Sequence, residues 1–154
     1  MAPKLPLQPG QVIARLARQV ELAAGTVDLT VAQYRVLAIL SSQNEAASVL
    51  ADKLAVSRPT VTGVVDGLVA RELVTRVHDP VDRRRVSLDL TEEGRTLLAG
   101  VDEEVGRRLR DIAAYCSDGP GALAGLAPWQ DALDGYIVAR RAGAPRAGSS
   151  GTAS

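Results

Sequence analysis

Residues 48–94 read SVLADKLAVSRPTVTGVVDGLVARELVTRVHDPVDRRRVSLDLTEEG, and the change of period inside this stretch decides the fold. Ser48 caps a short helix that buries Leu50, Ala51 and Leu54, and Ala55 and Val56 turn the chain toward Ser57. Ser57 is the next N-cap, with Pro59 tolerated in the first turn because its missing N–H would have no partner there. Val61, Val64, Val65, Leu68 and Val69 then form an apolar stripe, opposed by Arg58, Thr60, Thr62, Gly63, Asp66 and Gly67. Period two follows in Leu73, Val74, Val77 and in Val86, Leu88, Leu90. Between these strands Asp79-Pro80 starts a turn, and Asp82-Arg83-Arg84-Arg85 sets three guanidiniums beside one carboxylate. Thr91, Glu93 and Gly94 open a helix in which Leu97, Leu98, Val101, Val105, Leu109 and Ile112 recur for about six turns.

Two short helices around a tight turn, an arginine-tipped hairpin and a long helix follow the plan of a winged helix-turn-helix. The expected fold class is therefore mainly α with a small β-hairpin. The small or polar side chains opposite Val61 and Val65 suit a helix lying deep in a groove about 12 Å wide. A merely solvated face would favour Glu, Lys and Gln. The arginine-rich tip can follow a phosphate backbone or insert an arginine into a narrow minor groove, with Asp82 restraining a neighbour. A solvated loop would carry the same charges.

Outward from this stretch, residues 1–9 hold three prolines and are expected to be an extended arm. Val12, Ile13, Leu16 and Val20 place an amphipathic helix over residues 10–24, with Gly25 as its stop. Thr30 and Gln33 fit a capping box for a helix from Val31 to Ser41. Beyond the long helix, residues 117–121 break the pattern, and Pro128 starts a last helix with Leu133, Tyr136 and Ile137 as apolar positions. The stripes of the first helix and of the long helix exceed what a small winged domain covers, so they ask for another helix or another subunit. Residues 143–154, GAPRAGSSGTAS, are expected to be disordered.

Composition narrows the function classes. Length points to one compact unit over about 10–142, with a winged core near 30–91 and flanking helices near 10–24 and 92–142, which the family resemblance given below implies are dimerisation helices. Basic and acidic side chains balance at 18 each, so any affinity for nucleic acid must be local. All basic residues but Lys4 and Lys53 are arginine, through either coding bias or the fit of its planar fork to phosphates and base edges. One cysteine and one histidine are too poor a set for structural zinc or a disulfide, so no metal or cofactor is expected. No nucleophile–base pair stands at motif spacing and there is no phosphate loop, which disfavours an enzyme. No apolar run spans a bilayer and no signal sequence opens the chain, so a cytoplasmic protein is expected.

The segments LTVAQYRVLAIL and SVLADKLAVSRPTVTGVVDGLVARELVTRVHDPVDRRRVSLDLTEEGRTLL closely resemble the MarR (multiple antibiotic resistance regulator) family of bacterial transcription factors. The most specific parts are the D-x-R of Asp82 and Arg84 and the L-T-x-x-G of Leu90, Thr91 and Gly94. The resemblance implies a homodimeric repressor on double-stranded DNA, reading a pseudo-palindromic operator with half-sites about one turn apart. Ser57, Arg58, Pro59, Thr60, Thr62, Gly63 and Asp66 would be the recognition-helix contacts, and Asp82, Arg83, Arg84 and Arg85 the wing contacts. Val12, Leu16, Val20, Leu109, Ile112, Leu133 and Ile137 would form the dimer interface. Family members commonly answer to a small aromatic or phenolic effector, whereas Tyr34, Tyr115, Trp129 and Tyr136 read as core or interface. Ala55 replaces a common turn glycine, which suggests a turn with no left-handed residue, and Gly63 and Gly67 replace larger groove-facing side chains. Cys116 reads as a buried small hydrophobe closing the long helix. A thiol-based sensor through Cys116, or a winged-helix module for protein contact with weak DNA affinity, are the alternatives.

Overall fold

A computed structural model of the chain describes residues 8–78 and 86–143. The elements run α1 (Pro9–Gly25), α2 (Val31–Leu40), α3 (Ala47–Leu54), α4 (Arg58–Ala70), β1 (Val74–His78), β2 (Val86–Leu90), α5 (Glu92–Ala113), α6 (Gly119–Ala124) and α7 (Ala127–Arg141). The fold is mainly α with one antiparallel hairpin, in the order that the sequence leads one to expect. The span 10–142 is divided within α5 into two compact units, Met1–Leu109 and Arg110–Ser154.

In the first unit, α2, α3 and α4 enclose Val36, Leu37, Leu40, Leu50, Val61, Val65 and Leu68, all at 2 % exposure or less. Val74 and Leu88 from the hairpin and Leu98 and Val101 from α5 complete this core. Each such side chain contributes about 1.5–3 kcal/mol by leaving water. Tyr34 packs half-buried against the cluster, and its hydroxyl donates to Asp102 Oδ1 on α5 at 2.6 Å. Burial first, then this bond and the Asp102 charge, push the Tyr34 hydroxyl far above its ordinary pKa of 10.0.

Several local expectations change. Pro9 belongs to α1 rather than to an arm; it takes the first turn, where no N–H is needed. Ala46, not Ser48, is the N-cap of α3, because the preceding Glu45 is held extended by a bridge to Leu88 and the helix starts directly after it. Ala55 is left-handed after all, at φ 55° and ψ 43°. The Ala55 N–H donates to the Asp52 carbonyl and the Val56 N–H to the Ala51 carbonyl, the paired bonds of a Schellman turn. α1 ends at Gly25, as expected, and the same pair of bonds closes the turn after it around left-handed Asp28 and the turn after α4 around left-handed Glu72. Leu29, Val56 and Leu73 follow these residues, and burial of Leu29 and Leu73 helps offset the left-handed cost of about 1–2 kcal/mol.

The second unit has a different economy of apolar surface. The expected break at residues 117–121 contains a short helix, because the Asp118 carboxylate accepts from the Gly121 N–H and caps α6. Among the described residues of this unit only Ala113 is a buried hydrophobe. Leu126, Trp129, Leu133, Tyr136 and Val138 all lie exposed. No helix among the described residues is long and apolar enough to cross a membrane.

Candidate nucleic-acid interface

The turn between α3 and α4 fixes the start of α4. Ser57 Oγ accepts from the Thr60 N–H at 3.3 Å and lies 2.7 Å from Thr60 Oγ1. One proton serves the bond between the two hydroxyls, which leaves the other able to donate to a phosphate oxygen. One turn on, the Thr62 hydroxyl donates to the Arg58 carbonyl at 3.0 Å, which uses its proton and leaves its oxygen free to accept. Ser57, Arg58, Pro59, Thr60, Thr62, Gly63 and Asp66 are all exposed, so the structure brings the expected recognition-helix residues onto one outward face of α4. A Cβ on Gly63 would meet nothing within 4 Å. Another backbone can therefore approach α4 closely at that point.

Gly67 is a correction. It faces α2 rather than a groove, since a Cβ there would lie 3.3 Å from Gln33 Nε2. Its smallness serves the packing of α4 on the capped start of α2. Asp66 also has a partner within the chain, for its carboxylate accepts a charge-assisted bond from the Arg76 guanidinium of β1. Arg76 was not singled out by the sequence. The hairpin register explains its position: Arg76 pairs with Leu88, whose side chain is buried, so Arg76 shares the strand face turned toward α4. Counting alternation outward from buried Val74 would have found it.

The hairpin stem pairs Val74 with Leu90 and His78 with Val86. It is tied down at the C-terminal end of α4. Thr91 Oγ1 donates to the Glu72 carbonyl at 2.7 Å and accepts from the Gly94 N–H at 3.0 Å, and the Thr91 N–H donates to the Leu73 carbonyl at 3.2 Å. Gly94 is buried so close to the Leu73 carbonyl that a Cβ would collide with it. The L-T-x-x-G run thus joins the end of α4, the stem and α5 by main-chain contact. Beside it the Arg71 guanidinium donates to the Val27 and Asp28 carbonyls, anchoring the C-terminal end of α4 to the turn after α1. Asp82, Arg83, Arg84 and Arg85 lie outside the described residues.

The residues expected to form a dimer interface carry exposed or half-exposed apolar side chains. On α1, Val12 is exposed and Leu16 and Val20 are half-buried. On α5, Leu109 is half-buried and Ile112 is 40 % exposed. On α7, Leu133 is exposed and Ile137 half-buried. Of the aromatics, Tyr34 belongs to the core, whereas Tyr115, Trp129 and Tyr136 are exposed in the single chain. Cys116 is likewise exposed, which corrects the expectation of a buried thiol: α5 ends at Ala113, and Cys116 falls in the turn beyond it.

Comparison with known proteins bears on the same residues. A family model described as "MarR family" matches residues 29–86. A protein of Thauera aromatica, named as a transcriptional regulatory protein for the hcr operon, is 32% identical over 124 residues, covering 78% of this chain and 73% of that one. The chain belongs to the MarR family. It is thus a DNA-binding transcriptional regulator of the winged helix-turn-helix type, and not an enzyme. Its relatives include the HTH-type transcriptional repressor NicR of Pseudomonas putida, 52% identical over 44 residues that make up 29% of this chain and 28% of NicR. The transcriptional repressor CouR, solved bound to a 23-mer DNA duplex, is 28% identical with a TM-score of 0.66, over 79% of this chain and 87% of CouR.

Proposed function

We propose that this MarR-family chain acts as a homodimeric repressor that is released from its operator by a small aromatic or phenolic compound. The observation that carries the DNA-reading part is the outward face of α4, where capped hydroxyls and a Gly63 open to approach replace the long charged side chains of a solvated helix. Each subunit sets α4 in a major groove, with Ser57, Arg58, Pro59, Thr60, Thr62 and Gly63 at phosphates and base edges. Asp66 steadies Arg76 at the flank of that contact. Asp82, Arg83, Arg84 and Arg85, between β1 and β2 in the sequence, serve the adjoining minor groove, with Arg84 inserted and Asp82 as its restraint.

Dimerisation is supported by the apolar side chains that each unit leaves exposed, including Val12 on α1, Ile112 on α5 and Leu133 on α7. A repressor role is supported by the names of NicR and CouR. An effector held near the dimerisation helices would change the distance between the two reading helices. Selection of bound sequences from random duplex DNA at two salt concentrations tests the reading. An inverted repeat with half-sites about one turn apart, enriched at low salt and depleted at high salt, is the expected result. Failure to enrich any sequence, or sedimentation as a monomer at micromolar concentration, overturns it.

A further inference from the structure

Glu45 belongs to neither α4 nor the hairpin, yet β2 and α3 both meet on it. Its N–H donates to the Leu88 carbonyl at 3.3 Å and its carbonyl accepts from the Leu88 N–H at 2.8 Å, so the link between α2 and α3 adds a one-residue third strand beside β2. Its carboxylate accepts at Oε1 from the Lys53 ammonium in the last turn of α3 and from Gln43 Nε2. The ion pair is drawn into the protein, with side-chain exposures of 11% for Glu45 and 23% for Lys53. Across the hairpin the corresponding tie, Arg76 to Asp66, is left 45% and 56% exposed.

These burials rank the two ties. An exposed pair contributes little to holding a geometry, because water and salt compete for both ends. A carboxylate enclosed to this degree is costly without its partner, so it resists any movement that separates them. A two-stranded hairpin is itself only marginally stable. We infer that the Glu45–Lys53 pair is a positioning device for the wing, locking β2 to α3 and so fixing the angle at which the hairpin stands beside α4. Glu45 thereby raises DNA affinity without touching DNA. The inference rests on the reading that the segment between β1 and β2 contacts DNA.

The full chain is titrated with its selected operator as wild type, Glu45→Gln, Lys53→Arg, the charge-swapped Glu45→Lys/Lys53→Glu double variant, and Arg84→Ala. Removing a carboxylate from a DNA-binding protein strengthens binding if only the long-range field matters. Positioning demands the opposite sign: Glu45→Gln weakens binding about tenfold, the scale of a single groove interaction. Its slope of log affinity against log salt falls by about 0.9 for each phosphate that the wing no longer neutralises. Lys53→Arg keeps wild-type affinity, and the double variant recovers most of the deficit at unchanged net charge. Hydrogen exchange at the Leu88 amide, read without DNA, accelerates in Glu45→Gln while the α4 amides keep their protection, which separates a loosened stem from an unfolded domain. Equal or tighter binding by Glu45→Gln, or a double variant no better than Glu45→Gln, overturns the inference. An Arg84→Ala variant with unchanged affinity and slope instead overturns the wing reading on which it rests.

Discussion

The two units of the chain use apolar residues in opposite ways. Up to Leu109, helices α2 to α4 and the hairpin bury a continuous set of leucines and valines, with Leu37, Leu50 and Leu68 at 0 % exposure. From Arg110 onward, among the described residues, Ala113 is the one buried hydrophobe, while Tyr115 is 95% and Trp129 64% exposed. The first unit carries its own buried core. The second keeps the periodicity of packed helices but leaves most of the large apolar side chains on that period exposed. A stripe in a sequence identifies an apolar face, and only the fold tells whether the chain covers that face itself.

The comparison can be broken first at its strong side. Leu37→Ala should cost about 2–5 kcal/mol, as cavities in close-packed cores do, and the loss in chemical denaturation should not depend on protein concentration. A cost below about 1 kcal/mol would deny the first unit its independent core. Leu133→Asp on α7 should cost about 2–4 kcal/mol, but in dimer affinity, so that dissociation appears on dilution in sedimentation while the far-UV signal of the first unit persists. If that variant stays dimeric, the exposed row on α7 has another purpose. Ala55→Gly should raise stability by about 0.5–1 kcal/mol, since glycine removes the left-handed cost and gives back part of the gain as chain entropy. A loss on thermal unfolding would contradict the Schellman turn.

The smallest expected effect lies on α5, where the bonds from Arg107, and then from Arg108, lower the Glu104 pKa from its ordinary 4.5 to about 2, against some opposition from desolvation. A carboxylate with a lowered folded pKa contributes stability that is present above its ordinary pKa of 4.5 and is lost as pH falls toward about 2. Glu104→Gln should therefore differ from wild type at about pH 6 and converge with it near about pH 2 in paired denaturation curves.

Much of this architecture is legible in the residues. Period 3.6 in α4 and α5, period 2 in the hairpin, the Thr30–Gln33 box and the Ser57 cap all appear where local chemistry places them. The misses share a cause, which is tertiary contact acting on a local choice. Ser48 is the better cap by residue type, but the Glu45–Leu88 bridge starts the helix earlier. Gly67 has the composition of a groove-facing residue, but Gln33 stands over it. Ala55 is an unfavoured left-handed residue, held by two carbonyls of its own helix. The same holds for the site: hydroxyl positions on α4 follow from helix geometry and the face of Arg76 from strand alternation, while Glu45 and Lys53 are brought together beside β2 by a bridge that the sequence does not spell out.

Gly94 has one further consequence. The first turn of α5 rests on the Leu73 carbonyl with no side chain between them, so there is nothing there to repack or to yield. Rotation or translation of the N-terminal end of α5 would bear directly on the backbone at Leu73, the residue before β1. The joint acts as a stiff lever, and its stiffness comes from an absent methyl group.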